Sequence, residues 1–417
     1  MRIDCTRFSG PCSCGKEHIP ATRLCVVESG ALARLEDYLA EAGLSGKRCA
    51  VYDGNTFAAI PEALRPAAEQ VILLPSSGIH ADEHFTAELS AQLEADVQVV
   101  IAVGGGPLHD IVRFCTKERG IPFVSVPTAA SCDAFSAEVA AMTWEGVKKT
   151  VNCQAPVLVV ADIDIIRNAP PHLILSGIGD VLGKFIALAE WKIAHAITGE
   201  AFCQPIYDMM HDALMEVWNN APAARAGEPE AVAAVMNGLL LSGIAMQLFG
   251  SSRPASGAEH HISHLIDLRP EGLGPVKGAS HGEQVAVGTI LASREYHRLA
   301  ALENIADLVI PFEPVDQDWL RSYFGESLYP ATAAENASDA LAAVSPLSLL
   351  LAWEEIQKIV AGIPVPEEIA EKLAALGAKT TLTDIGVPEE KLPEILTAAP
   401  YCRNRLTLMR LRRMIAG

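Results

Sequence analysis

The sequence predicts an N-terminal α/β, Rossmann-like dinucleotide-binding domain followed by an all-α domain, and three observations predict it. Short apolar runs rich in β-branched residues alternate with helical stretches through residue 168. A glycine run, Gly104-Gly105-Gly106, separates one such strand from a helix. From Pro170 onward the strand signal ends and helix-period segments, punctuated by Pro and Gly, continue to a basic tail at Arg403 to Arg413. Strands apolar on both faces and separated by helices make a parallel sheet covered on each side. The expected domains are therefore residues 1–168 and 169–417.

Element by element, Arg23 to Glu28 (RLCVVE) reads as a strand and Ala31 to Ala42 as a helix. Lys47 to Asp53 is a strand closed by Gly54 and Asn55. Gln70 to Leu74 is a strand, Asp82 to Leu93 a helix, and Val97 to Val103 (VQVVIAV) a fully buried strand. Leu108 to Glu118 is a helix and Pro122 to Val126 a strand. Ala140 to Thr150 reads as a hairpin turning at Trp144-Glu145-Gly146, and Pro156 to Ala161 as one more strand. Ala231 to Phe249 is apolar enough for a membrane check. Its Asn237, Ser242 and Gln247, and the polar motif after it, favour a buried helix, so no membrane span is expected.

Bulk properties narrow the function. The chain has 417 residues, 50% hydrophobic and 20% charged, the balance of a globular enzyme with room for two domains. A formal net charge of −19 with scattered basic residues argues against a nucleic-acid partner. A small phosphorylated substrate stays open, because one local site can hold it. Ten cysteines in so long a chain make no disulfide framework. The first residues lack a signal-peptide pattern, so reduced thiols in a cytoplasm are expected. Cys5, Cys12, Cys14 and His18 suggest zinc, but only one residue separates the close pair, which suits the usual knuckles poorly; the segment reads as a loop.

The glycine run follows a buried strand and opens a helix. Backbone there can approach a ligand closely and point N–H groups at it from a positive helix end, which makes a pyrophosphate cradle, although G-x-G-x-x-G is absent. One strand later, Thr128-Ala129-Ala130-Ser131 starts another loop, followed by Asp133. Asp53 stands where a carboxylate can accept from an adenosine ribose, or where it can simply shape the turn. In the second half, Ser176-Gly177-Ile178-Gly179-Asp180 places a carboxylate at the expected start of a helix. His260 and His264 are four apart on one helix face, and His281 lies just ahead of the helix Gln284 to Arg294. One Asp and two His with open positions suit a catalytic divalent ion.

Gly104 to Asp110, the Pro-Thr-Ala-Ala-Ser loop, Gly-Ile-Gly-Asp, Ser251 to His260 (SSRPASGAEH) and His281-Gly282-Glu283 resemble the sn-glycerol-1-phosphate dehydrogenases. That family lies within the iron-containing alcohol dehydrogenase and dehydroquinate synthase-like superfamily. The resemblance runs from about residue 20 to the tail near 405. It implies reversible hydride transfer between NAD or NADP and dihydroxyacetone phosphate. It also implies that Gly106, Pro107, Leu108, His109, Asp110, Thr128, Ala129, Ala130, Ser131 and Ala137 line the cofactor. Asp133, Asp180 and His264 would meet substrate, and Asp180, His260 and His281 would bind zinc or nickel. Pro107, His109 and Ala137 depart from the family's usual residues, which loosens the cofactor assignment. A homo-oligomer is expected. Rival readings are a glycerol dehydrogenase-like polyol oxidoreductase, a dehydroquinate-synthase-type lyase and a noncatalytic metal or nucleotide sensor. The lyase would want more Lys and Arg near the ligands than Lys184, Arg253 and Lys277.

Overall fold

The computed structural model describes residues 1–144 and 147–416. They form two compact units, Met1–Val181 with Asp208–Ser251, and Leu182–Tyr207 with Ser252–Gly417. The strands are β1 (Arg2–Asp4), β2 (Gly10–Pro11), β3 (Glu17–His18), β4 (Leu24–Glu28), β5 (Arg48–Asp53), β6 (Gln70–Leu74), β7 (Val99–Gly104), β8 (Phe123–Pro127), β9 (Val139–Trp144), β10 (Val147–Asn152) and β11 (Leu158–Asp162). The helices begin with α1 (Leu35–Glu41), α2 (Gly54–Ala59), α3 (Glu83–Gln92), α4 (Gly106–Arg119), α5 (Ile163–Ile166) and α6 (Pro171–Leu182). They continue with α7 (Lys184–Thr198), α8 (Gln204–Arg225), α9 (Pro229–Phe249), α10 (Ala258–Leu268) and α11 (His281–Ala300).

In the first unit, seven strands form one sheet in the order β1-β4-β11-β8-β7-β5-β6. β1 joins β4 antiparallel, and the remaining neighbours are parallel. The apolar runs are continuous because each strand is buried on both faces. Val26, Ile101, Val124 and Val160 pack with Tyr38 and Leu39 on one side. Val51, Val100, Ala102 and Phe123 pack with Leu108, Ile111 and Val112 on the other. The expected hairpin is present, with Val139 opposite Asn152 and Trp144 opposite Val147; the turn residues Glu145 and Gly146 lie outside the described residues.

The helical half does not begin as a separate body at residue 169, because α6, most of α8 and α9 cluster with the sheet. Small residues explain this for α6 and α9. A Cβ on Gly177 of α6 would lie 2.1 Å from the Ala130 carbonyl oxygen, and one on Gly243 of α9 would lie 2.2 Å from Ser136 Oγ. Only glycine lets those backbones come so close. α9 is the apolar segment that suggested a membrane check. Of its most hydrophobic window, 83% is buried, as in a core helix. Two of its polar interruptions have partners: Ser242 Oγ donates to Asp133 Oδ2 at 2.7 Å, and Gln247 Oε1 accepts from Ala21 N–H at 2.9 Å.

The second unit is helical, built from α7, α10 and α11 with α12 (Gln317–Glu335), α13 (Pro346–Ala361), α14 (Pro366–Ala375), α15 (Leu392–Ala398) and α16 (Leu408–Leu411). α10 packs along α11, and α7 along α13. An isolated bridge between Val309 and Ile415 is its β pairing among the described residues.

Candidate metal centre and cofactor loops

The two candidate cofactor loops leave neighbouring parallel strands at their carboxyl ends, where open α/β sheets bind ligands. Gly104 pairs with Pro127, and Thr128 N–H donates to the Gly104 carbonyl at 3.2 Å. Gly105 is the N-cap of α4, and a Cβ there would meet nothing within 4 Å. Pro107 lies exposed in the first turn, whereas Leu108 is buried in the sheet packing. His109 is fully buried, and its Nδ1–H donates to the Gly105 carbonyl at 2.9 Å. Burial pushes its pKa down to about 3, so the ring is neutral. Asp110 turns inward, pairing with Arg113 at 2.5 Å and accepting from Ala141 N–H at 3.3 Å. Its visible work is to hold the β9–β10 hairpin against α4.

Asp53 has a visible task as well. Its Oδ1 accepts from Asn55 N–H and Thr56 N–H at 2.8 and 2.9 Å, capping α2 in a capping box. The turn-shaping alternative is therefore observed, and a ribose contact would fall to the other carboxylate oxygen.

The Ser-Gly-Ile-Gly-Asp motif gains a physical meaning. It lies inside α6, near its C-terminal end, rather than at a helix start. Ser176 Oγ donates to the Ser131 carbonyl at 2.9 Å, Gly177 admits Ala130, and Asp180 Oδ2 accepts from Asp133 N–H at 3.0 Å. The motif thus clamps the Thr128–Ser131 loop and sets Asp180, fully buried, beside Asp133. Ala129, Ala130 and Ala137 are buried around it. Burial first, with the nearby Asp180, Asp133 and Asp110 carboxylates adding to it, holds the Cys132 thiol up at about 12.

In the helical unit the three predicted histidines converge. His260 and His264 lie one turn apart on α10, and His281 is the first residue of α11, not a residue ahead of the helix. Ser280 and Glu283 form a capping box that fixes that start. Ring centroids are 5.2 Å apart for His260 and His281, 6.2 Å for His260 and His264, and 6.5 Å for His264 and His281. Ligand nitrogens of His260 and His281 lie within 4.8 Å of each other. His260 Nδ1 meets Glu259 Oε1 at 2.7 Å, and a carboxylate only accepts, so the imidazole donates there. His281 Nδ1 lies 3.4 Å from Ser263 Oγ. With both Nδ1 atoms committed, Nε2 is the nitrogen each ring can offer a metal, the usual arrangement for ligating histidines. One carboxylate and two imidazoles form a donor set that fits a divalent transition ion.

Sequence reasoning passed over three residues. Glu259 orients His260 and could have been noticed as a carboxylate beside a candidate ligand. Glu190 is buried with it: Glu190 accepts from the Tyr296 hydroxyl and from Ala258 N–H, the latter at 3.1 Å. Burial and the adjacent Glu259 carboxylate raise the Glu190 pKa to about 8. Arg403, from the basic tail, is the charge that most disfavours protonation of His264 after burial itself. Burial, then Arg403, then His260 and His281 hold the His264 pKa well below its usual value. Nothing in the local sequence announced that influence. Arg253, by contrast, is buried at 2% exposure. It pairs with Glu200 at 2.8 Å and donates to the Leu406 carbonyl at 2.7 Å, which spends its guanidinium inside the fold.

Comparison with known proteins places this arrangement. Residues 26–170 match the iron-containing alcohol dehydrogenase family. A glycerol-1-phosphate dehydrogenase [NAD(P)+] from Geobacillus stearothermophilus is 32% identical over 416 residues, covering 95% of this chain and 94% of that protein. One from Pyrococcus furiosus is 42% identical over 195 residues, 47% of this chain and 55% of that protein. The crystal structure of a probable glycerol dehydrogenase from Sinorhizobium meliloti superposes with a TM-score of 0.61 at 18% identity, covering 94% of this chain and 91% of that one; this likeness speaks for the fold alone. The fold, the clamped loops, the paired histidines and the full-length relative agree: the chain belongs to the glycerol-1-phosphate dehydrogenase family of iron-containing alcohol dehydrogenases.

Proposed function

We propose that this chain reversibly reduces dihydroxyacetone phosphate to sn-glycerol-1-phosphate with NADH or NADPH, in the cytoplasm, using one zinc or nickel ion held by Asp180, His260 and His281. The observation that carries the reading is the convergence of His260 and His281 with both Nδ1 atoms committed. A divalent ion there supplies Lewis-acid stabilisation for the negative charge that develops on the substrate oxygen, and the nicotinamide supplies the hydride. The chain's own residues do the rest. Glu259 fixes the His260 ring. Asp133, tied by its N–H to Asp180 and by its carboxylate to Ser242, is held rigidly enough to orient a substrate hydroxyl. His264, kept neutral, can accept or return the hydroxyl proton from one turn along α10.

The glycine turn and the Thr128–Ser131 loop are the proposed dinucleotide cradle, with Gly106, Pro107 and the adjoining residues up to Ala137 around it. For the substrate phosphate, Arg403 is the better candidate than Arg253, since Arg253 is consumed by Glu200 while Arg403 acts on His264. The test is steady-state turnover with each cofactor on dihydroxyacetone phosphate and on dihydroxyacetone. The proposal expects the phosphorylated ketone to be reduced far more efficiently, with net consumption of reduced cofactor. A preference for the unphosphorylated ketone would reduce the reading to a polyol dehydrogenase.

A further inference from the structure

Cys12, Cys14 and His18 lie on the N-terminal β2–β3 hairpin, far in sequence from the candidate catalytic-metal residues Asp180, His260 and His281. The strands pair Gly10 with His18 and Pro11 with Glu17. The turn is closed by Cys12 N–H to the Lys16 carbonyl at 2.9 Å and Gly15 N–H to the Cys12 carbonyl at 3.0 Å, with Gly15 at φ +82°. Such a turn folds a C-x-C pair back toward the returning strand, which the bare spacing does not reveal. One ligand atom from each of Cys12, Cys14 and His18 lies within 4.8 Å of the others. Cys14 Sγ is 3.4 Å from His18 Nε2. Around tetrahedral zinc, Zn–S of about 2.3 Å and Zn–N of about 2.0–2.1 Å put sulfur and nitrogen about 3.5 Å apart.

A second, independent feature points to a metal. His18 is buried, and its Nδ1 lies 2.7 Å from the Leu248 carbonyl. A carbonyl can only accept, so the proton sits on Nδ1, and Nε2 presents its lone pair toward Cys14. Ligating histidines are oriented in this way by a backbone carbonyl.

We propose that Cys12, Cys14 and His18 bind a structural zinc ion separate from the catalytic metal. Several other thiols are committed elsewhere. Cys5 and Cys25 face each other at 4.0 Å, Cys115 bonds to Ser90 and Thr86, and Cys132 packs at Gly106. Two thiols and an imidazole fill three of zinc's four tetrahedral positions with none of the residues proposed to meet substrate among them, so the ion's role is to brace the hairpin that His18 ties to the Leu248 carbonyl. Binding releases the thiol protons, and thiolates persist as ligands only in a reducing compartment.

The experiment reads zinc released by a thiol-specific mercurial, which attacks thiolate ligands and leaves Asp and His sites intact, with the protein purified whole in the presence of zinc. The proposal expects one zinc ion per chain to be released in step with mercaptide formation. That zinc should be absent from Cys12→Ser and Cys14→Ser and retained in Cys153→Ser. Zinc X-ray absorption on the unmutated protein gives a second reading should a variant fail to fold: a sulfur shell near about 2.3 Å arises only from thiolate ligation. No mercurial-released zinc and no sulfur shell would overturn the site. Release unchanged in Cys14→Ser would overturn the three-residue set. Neither result depends on the catalytic metal, so failure here and failure of the dehydrogenase reading are distinguishable.

Discussion

Glu259 touches His260 but is given no role of its own by the motif SSRPASGAEH, and it illustrates how the candidate site works at the scale of single residues. Removing a carboxylate that orients a ligating imidazole costs about 10–100-fold in metal affinity. Glu259→Gln should therefore lose metal to a chelator that much more readily. His260→Ala and His281→Ala should lack the catalytic metal altogether, and His264→Ala should keep it while turning over slowly. Metal analysis alongside kcat separates these roles, and equal metal loss in all four variants would defeat the assignment. A second residue pair separates phosphate recognition from architecture. Charge-assisted hydrogen bonds contribute about 1.5–3 kcal/mol, so Arg403→Ala should lower kcat/KM for dihydroxyacetone phosphate by about one to two powers of ten with little effect on dihydroxyacetone. Arg253→Ala removes a buried guanidinium from the half-buried Glu200 and the Leu406 carbonyl and should lower thermal stability, with equal effects on both substrates. The candidate ligands His260, His281 and Asp180 could be singled out in the sequence because metal chemistry restricts residue type sharply. Arg403 could not, because a lone arginine in a basic tail has no local signature and gains meaning only through tertiary placement.

At the scale of elements, two glycines separate packing from binding. Gly177 sits in α6 where a Cβ would strike the Ala130 carbonyl, whereas Gly105 caps α4 beside open space. Overpacking typically costs about 1–3 kcal/mol, so Gly177→Ala should lower the melting temperature and disturb the Thr128–Ser131 loop. Gly105→Ala meets no protein atom and should leave the melting temperature unchanged. If the turn cradles pyrophosphate, however, the methyl group must raise the KM for the dinucleotide severalfold. Thermal denaturation and cofactor titration of the two variants read this contrast directly, and an unaltered cofactor KM in Gly105→Ala would remove the cradle from the loop. The strands were legible because the sheet is buried on both faces, which leaves β-branched runs such as Val99 to Val103. The placement of α6 and α9 was not, because periodicity reports that a helix is apolar and says nothing of which partner it meets. That choice rests on Gly177 and Gly243, each a single missing side chain.

The whole molecule carries a formal charge of −19, and that bears on a substrate that is itself an anion. The same excess of acidic side chains speaks against nucleic-acid binding on physical grounds, yet the proposed substrate carries phosphate. The two fit together if recognition is local, through a cation such as Arg403 and a bound metal, while the long-range field opposes approach. At low ionic strength the Debye length is about 30 Å at 0.01 M, and at 0.15 M it is about 8 Å. Dilute buffer therefore exposes a phosphorylated ketone to the repulsion of the entire chain, and physiological salt leaves mainly the local attraction. We expect kcat/KM for dihydroxyacetone phosphate, measured at saturating cofactor, to rise as ionic strength increases from about 0.01 to 0.15 M. Neutral dihydroxyacetone feels neither field and should show a flat profile. Arg403→Ala should steepen the rise for the phosphorylated substrate, because it removes a local attraction that offsets the repulsion at low salt. A specificity constant that instead falls with salt would mean that the basic tail from Arg403 to Arg413 governs the approach, and that the net charge of the chain is irrelevant to how substrate arrives.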